Sequence, residues 1–370
     1  MISRGGVSRR FQKNSRMVLF KELHMRLSGK PLWILFIAFA VIFGSAYNMF
    51  LYFDYQDNTD CQTYMAIAKG EFKDQSLVRR YRVIIPFAAK VVSLPIQKVY
   101  SKLWPLREAT DEGPLRLGFL IVNCLMMSIV GLALYHACLA YGLQAPIALS
   151  LMCITLIAGR WGSLFAGTPH TDSLYMLAVT GVLYGLKTNK RWVLIGCLIL
   201  GPLAKESFLL IIPAVLVFSR PSKIQAAIYC LAGIVVAGIV RYYIDRHTMT
   251  PMLASVGEDV ATIYRIRDSL IRISSIRGLG ELATVFGIFS SVYIIGFVRG
   301  MKGIRSWMNH TDPLLWSFVL IAIVHALLSC EVARMLYLFA APLIIIMGRI
   351  VQPIMISANA LTTESLVKSD

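Results

Sequence analysis

Long apolar stretches recur through this chain from Pro31 almost to Pro353, and they constrain its fold more than any other feature. A helix needs about 20 consecutive apolar residues to cross the hydrocarbon core of a bilayer. Candidate spans lie at 31–53, 115–140, 145–160, 172–186, 224–244, 281–299, 314–329 and 335–351. Two further runs are apolar but flawed. Residues 83–104 carry Lys90, Pro95, Lys98 and Lys102, which suits an interfacial amphipathic helix better than a span. Residues 192–218 are interrupted by Pro202, Lys205, Glu206 and Ser207.

Composition narrows the class further. Of the 370 residues, 57% are hydrophobic and 15% charged, whereas soluble domains carry about 25% charged residues. That excludes a soluble enzyme, a secreted disulfide scaffold and a disordered chain. The apolar runs are continuous and do not alternate, which excludes a β-barrel. The expected fold is therefore an all-α polytopic membrane protein, with about ten transmembrane helices and external juxtamembrane helices. The net charge of +17 points to contact with anionic membrane lipid or phosphate. No soluble basic domain is present, so no nucleic acid is expected as a partner. The cysteines at 61, 124, 138, 153, 197, 230 and 330 fall mostly in apolar runs and read as packing residues. Their spacing suggests no metal site, and no cofactor is expected.

Basic loops orient the spans. Segment 1–30 holds Arg4, Arg9, Arg10, Lys13, Arg16, Lys21, Arg26 and Lys30 against Glu22, and is expected in the cytoplasm. The run after it is too long for a signal-peptide core and reads as a retained first span. Loop 187–191, with Lys187, Lys190 and Arg191, is also expected inside. These two assignments agree only if 83–104 does not cross. Residues 31–355 then form one transmembrane domain with external loops 54–114 and 247–280, followed by a cytoplasmic tail, 356–370. The count reaches ten if 192–218 crosses twice, breaking near Lys205. A single helix there would invert everything downstream.

With this orientation the conspicuous charges near apolar segments collect on the outer face: Asp54, Asp57, Asp60, Arg79, Arg80, Arg82, His170, Asp172, Lys205, Glu206, Glu331 and Arg334. Ionisable groups at membrane depth are costly and tend to mark function. Each also has a plainer reading. Asp60 suits a helix N-cap, and Asp54 and Asp57 suit solvated loop acids. The arginines at 79–82 suit lipid headgroups. His170 and Asp172 suit a helix start. Lys205 or Glu206 suits an interhelical pair, and Glu331 with Arg334 suits a pair along one helix.

Several short motifs carry a resemblance. They are Asp60-x-x-x-Tyr64-x-x-x-Ala68-x-Gly70; Arg79-Arg80-Tyr81-Arg82 leading into Ile85-Pro86-Phe87; Thr171-Asp172-Ser173-Leu174; Leu203-Ala204-Lys205-Glu206-Ser207; and Arg334-Met335-Leu336-Tyr337 ahead of Ala341-Pro342. In that order, over residues 31–351, the chain resembles the GT-C class of membrane glycosyltransferases. The resemblance implies a polyprenyl-phosphate sugar as donor and a glycan, lipid or protein as acceptor. It also implies inversion at the anomeric carbon and a catalytic Asp in the first external loop. By it, Asp60 is the catalytic base, and Arg79, Arg82, Lys205 and Arg334 hold the donor phosphate. Asp57, Tyr64, His170, Asp172, Glu206 and Glu331 then bind substrate. No Asp-x-Asp pair is present, so metal-dependent members match less well. The implied setting is a cell membrane, a bacterial inner membrane in particular, with the site on the periplasmic face. A different class, a transporter or lipid flippase with its charged site at Lys205-Glu206, is the alternative.

Overall fold

A computed structural model describes residues 31–103, 112–220, 222–249, 266–300, 312–329 and 331–368. The basic segment 1–30 and Cys330 lie outside the described residues. So do 104–111 of the first expected external loop and 250–265 of the second. All regular secondary structure among the described residues is helical. The helices are α1 (Pro31–Tyr52), α2 (Thr59–Lys69), α3 (Ile84–Gln97), α4 (Gly113–Ala140), α5 (Ala145–Ile157), α6 (Arg160–Gly167), α7 (Asp172–Thr188) and α8 (Arg191–Ala204). A 3-10 turn (Glu206–Ile211) leads into α9 (Ile212–Phe218), then α10 (Lys223–Thr248), α11 (Ile266–Ile273) and α12 (Ile276–Ala283). A second 3-10 turn (Gly287–Ser290) precedes α13 (Ser291–Gly300), α14 (Pro313–Ser329), α15 (Val332–Leu338) and α16 (Ala340–Lys368).

Three of these, α1, α4 and α10, are each long and apolar enough to cross a membrane alone. Three bent pairs pass the same test together: α5 with α6 (67°), α12 with the 287–298 stretch (105°), and α15 with α16 (77°). Length and composition thus support three to six candidate spans. Helices α3, α8 and α14 and the 206–218 stretch are apolar but shorter.

Four-residue repeats explain the packing. In α1 the residues Ile34, Ala38, Ile42, Ala46 and Phe50 form one buried stripe against α4 and α6, as i, i+4 neighbours on a helix must. In α3 the buried stripe is Ile85, Ala89 and Ser93, while Phe87, Val91 and Leu94 face outward. An apolar outer face on a helix too short to span suits a membrane interface. Gly118 of α4 makes the α3 contact possible, because a Cβ there would lie 2.4 Å from the Ala89 carbonyl oxygen.

Contacts sort the helix ends into two groups. At one end, Arg116 near the start of α4 donates to the Phe50 carbonyl of α1 (2.9 Å), and Tyr81 Oη donates to Asp245 near the end of α10 (2.7 Å). At the other, Lys187 at the end of α7 pairs with Asp312 ahead of α14 (2.7 Å), and the Gln144 N–H ahead of α5 donates to Gln352 of α16 (2.9 Å). The 192–218 run breaks where Lys205 stands: α8 ends at Ala204, Lys205 is extended, and a 3-10 turn begins at Glu206. The chain doubles back there, since the carboxyl end of α10 meets the 70–82 loop rather than the opposite end.

Candidate functional site

Helix α2 carries Asp60 in its first turn. Its N-cap is Asn58, whose Oδ1 accepts from the Cys61 N–H, so Asp60 is not the cap. Gly70 closes the helix in the left-handed region (φ 93°), where glycine lacks the Cβ penalty. The remaining side chain of Asp60 is free to reach across the bundle. It is also not a solvated loop acid: only 8% of the residue is exposed. Its two oxygens take different arginines, with Arg79 Nε at 2.6 Å and Arg334 Nη1 at 2.8 Å.

Arg334, from α15, is the hub. Its Nε lies 3.1 Å from Asp172 Oδ2, its Nη2 makes a very short contact with the same oxygen, and its Nη1 reaches Glu331 Oε2 at 2.9 Å. Asp172 opens α7, where the helix dipole favours a carboxylate. Its other oxygen faces Lys205 Nζ at 3.9 Å. Helix α15 packs against α14 and α7 and meets α16 at a 77° bend, and Arg334 reaches from it to Asp172 of α7 and Asp60 of α2.

A second carboxylate is clamped in the same way. Glu206 receives Arg82 Nη2 at 3.1 Å on one oxygen and Arg241 Nη2 at 2.8 Å on the other. Arg82 also donates Nη1 to Tyr64 Oη at 2.9 Å. Arg241, in α10, lies over the Tyr81 ring with 4.7 Å to its centroid.

His170 lies beside Asp60. Its backbone carbonyl accepts from Asn123 Nδ2 at 3.0 Å, and Ser173 Oγ donates to Asn123 Oδ1 at 2.7 Å, pinning the turn between α6 and α7 onto α4. Its Nδ1 contacts Thr168 Oγ1 at 2.7 Å, and its Nε2 lies 4.0 Å from Asp60.

The electrostatics follow from burial and charge. Burial alone would raise the Asp60 carboxyl, but Arg334, with His170 and Arg79, outweighs it and holds it down at about 2. Burial, reinforced by Arg334, holds the His170 imidazole down at about 4, so it is neutral at physiological pH. Burial pushes the Cys61 thiol up to about 12, leaving it unreactive. A fully ionised, doubly paired Asp60 is a poor proton acceptor as it stands, because a general base works best with a pKa near the operating pH.

Ten of the eleven expected site residues therefore come together in two adjoining groups: Asp60, Arg79, His170, Asp172, Lys205, Glu331 and Arg334 in one, Tyr64, Arg82 and Glu206 in the other, with the Tyr64 and His170 rings 6.4 Å apart between them. Asp57 stays exposed in the loop before α2 and is not brought into either. Arg80 points elsewhere, donating to the Lys73 and Gln75 carbonyls and to Thr248. Sequence reasoning missed Arg241, although an arginine within the 224–244 apolar run is the kind of intramembrane charge that marks a site. Among the described residues, no group of three or more His, Cys, Asp or Glu side chains is placed to hold a metal ion.

Comparison with protein-family models, with curated proteins and with solved structures gives no match for this chain.

Proposed function

We propose that the protein is an integral-membrane glycosyltransferase of GT-C type, moving a sugar from a polyprenyl-phosphate donor to an acceptor hydroxyl at the outer face of the membrane. One observation carries this reading. Six separate stretches of chain bring four carboxylates and five cations together at one end of the bundle, beside a short helix whose outer face is apolar. A charged headgroup on a lipid tail is the substrate such an arrangement suits, with the tail along the apolar surface and the phosphate among the arginines.

The proposed chemistry uses the chain's own groups. Asp60 takes the proton of the acceptor hydroxyl as that oxygen attacks the anomeric carbon. The bond from that carbon to the lipid-phosphate oxygen breaks with inversion, and the lipid phosphate keeps the electron pair. Arg79, Arg82, Lys205 and Arg334 stabilise the charge that grows on it. Asp60 becomes basic only when its arginines turn to the donor phosphate, which makes donor binding the step that arms the base. Asp172 and Glu331 position Arg334. Tyr64, His170 and Glu206 line the same space.

The proposed topology has ten crossings. Helices α1, α4, α7, α8, α10 and α14, the 206–218 stretch and the three bent pairs cross, α3 lies at the surface, and the carboxylate cluster lies outside. The contact of Tyr81 with Asp245 favours this parity, because a single crossing over 192–218 would put those residues on opposite sides. The break at Lys205 favours a second reading, a transporter or lipid flippase. The two part in one assay: the protein in proteoliposomes is given radiolabelled polyprenyl-phosphate hexoses and pentoses with membrane acceptors. A transferase releases polyprenyl phosphate and moves label to the acceptor. Translocation of intact donor without cleavage would select the transporter.

A further inference from the structure

Two carboxylates in this cluster are each held between two guanidiniums, one per oxygen: Asp60 by Arg79 and Arg334, Glu206 by Arg82 and Arg241. The two clamps differ in charge. Around the first, Asp60, Asp172 and Glu331 balance Arg79, Lys205 and Arg334. Around the second, Glu206 is the carboxylate paired directly with Arg82 and Arg241, while Asp172 and Asp60 act on Arg82 from further off, so the cluster as a whole sets five cations against four carboxylates and leaves one positive charge over. Two neighbours do not change that excess. Asp245, one turn beyond Arg241, accepts from Tyr81, and buried Arg80, which donates to Thr248 at the same helix end, adds one positive charge against its negative one. The excess sits where charge is costly, since Arg82 is only 7% exposed and its Nε is buried with no hydrogen-bond partner among the described residues. An orphaned buried donor of a charged group calls for an acceptor.

We propose that Arg82 and Arg241 form an anion seat for a phosphate ester, and that Glu206 holds this seat until the phosphate arrives. The inference rests on the reading of the cluster as the place where a lipid-linked phosphate binds. It adds Arg241 to the phosphate ligands and gives Glu206 the role of placeholder instead of substrate contact. A phosphate oxygen pair spans two guanidiniums as a carboxylate does, and its further oxygens can take the Arg82 Nε–H that Glu206 leaves unmet. Glu206 stands at the first residue of a 3-10 turn beside an extended Lys205. Its side chain is largely buried but not sealed, with 14% exposed, and the turn that carries it is short, so it can swing off the seat without unpacking a helix. The Tyr81 ring beneath Arg241 keeps that guanidinium in place when Glu206 leaves.

The test is binding of farnesyl phosphate, with farnesol as control, to the full chain in phosphatidylcholine nanodiscs. Glu206→Gln keeps the shape but vacates the seat of charge, so affinity should rise roughly tenfold or more, the worth of a charge-assisted hydrogen bond. Arg241→Ala should lose a similar factor, and Arg241→Lys should regain part of it, because lysine keeps the charge but not the fork. Asp245→Asn removes the same charge without emptying the seat and should change affinity much less. Weaker or unchanged binding in Glu206→Gln overturns the proposal, as does wild-type affinity in Arg241→Ala. An effect of Asp245→Asn equal to that of Glu206→Gln also overturns it, since general electrostatics would then suffice. Farnesyl phosphate carries no sugar. Failure of glycosyl transfer with this pattern intact would therefore sink the transferase reading and leave the seat standing.

Discussion

Removing Arg334 should destabilise the fold, and neutralising Asp172 should then partly repair it. Asp172 is 2% exposed and depends on Arg334 for two of its contacts, with Lys205 no nearer than 3.9 Å. Arg334→Ala strands that carboxylate and also frees Asp60 and Glu331 from the hub. Breaking a buried ion pair by removing one partner costs about 3–5 kcal/mol. At about 2 °C per kcal/mol for a long chain, Tm should fall by roughly 6–10 °C. Asp172→Asn in the wild-type background should also lower Tm, because it leaves Arg334 with less counter-charge. In the Arg334→Ala background the same substitution removes the stranded charge and should raise Tm. Coupling between contacting residues runs to about 0.5–3 kcal/mol, or roughly 1–6 °C. Tryptophan fluorescence during thermal unfolding in nanodiscs reads all four proteins. If Asp172→Asn lowers Tm by the same amount in both backgrounds, the two side chains are not coupled and the hub is wrongly drawn.

Further outcomes are specific. His170 is held neutral in the fold at about 4 against an ordinary value of 6.5, so the unfolded chain takes up its proton first as pH falls. Its contribution to stability is full above about pH 6.5 and is lost down to about pH 4; Tm measured across that window should fall less steeply in His170→Gln than in wild type, and equal slopes would count against a buried neutral imidazole. Topology is testable by impermeant maleimide on intact cells in a cysteine-free background. Asp57→Cys and Arg246→Cys, both at exposed positions, should label from outside, and Lys190→Cys only after permeabilisation. Labelling of Lys190→Cys in intact cells, or its failure at Arg246→Cys, would break the proposed parity. Native Cys61 is unsuitable as a reporter because it is fully buried and its thiol is pushed up to about 12.

Much of this architecture was legible in the residues, and for stated reasons. Apolar run length located α1, α4 and α10 within a few residues, because a bilayer sets that length. Lys205 and Glu206 marked the break in 192–218, since a helix carrying both charges through lipid would be costly. The gathering of distant charges onto one end followed from loop parity alone. What stayed hidden is equally physical. The bends after Ile157, Ala283 and Leu338 fall within or beside apolar runs, where hydropathy is the same whether the helix continues or turns. The burial of Asp60 depends on Arg334, 274 positions later in the chain, and no local pattern encodes such a partner. Arg241 is a charge inside an apolar run, but its partners Glu206 and Tyr81 stand far off in the chain, so no local pattern shows which site it joins.

The proposed transferase is tested most directly by the rate at which purified protein releases polyprenyl phosphate from a cognate radiolabelled donor, compared between wild type and Asp60→Asn. Asparagine keeps the size and one acceptor oxygen, enough for one of the two arginines, but cannot take a proton at neutral pH. General-base catalysis is worth about 10²–10⁴-fold, so turnover should fall by that factor while farnesyl phosphate still binds. Turnover in Asp60→Asn equal to that of wild type would contradict the assignment of Asp60 and the mechanism built on it.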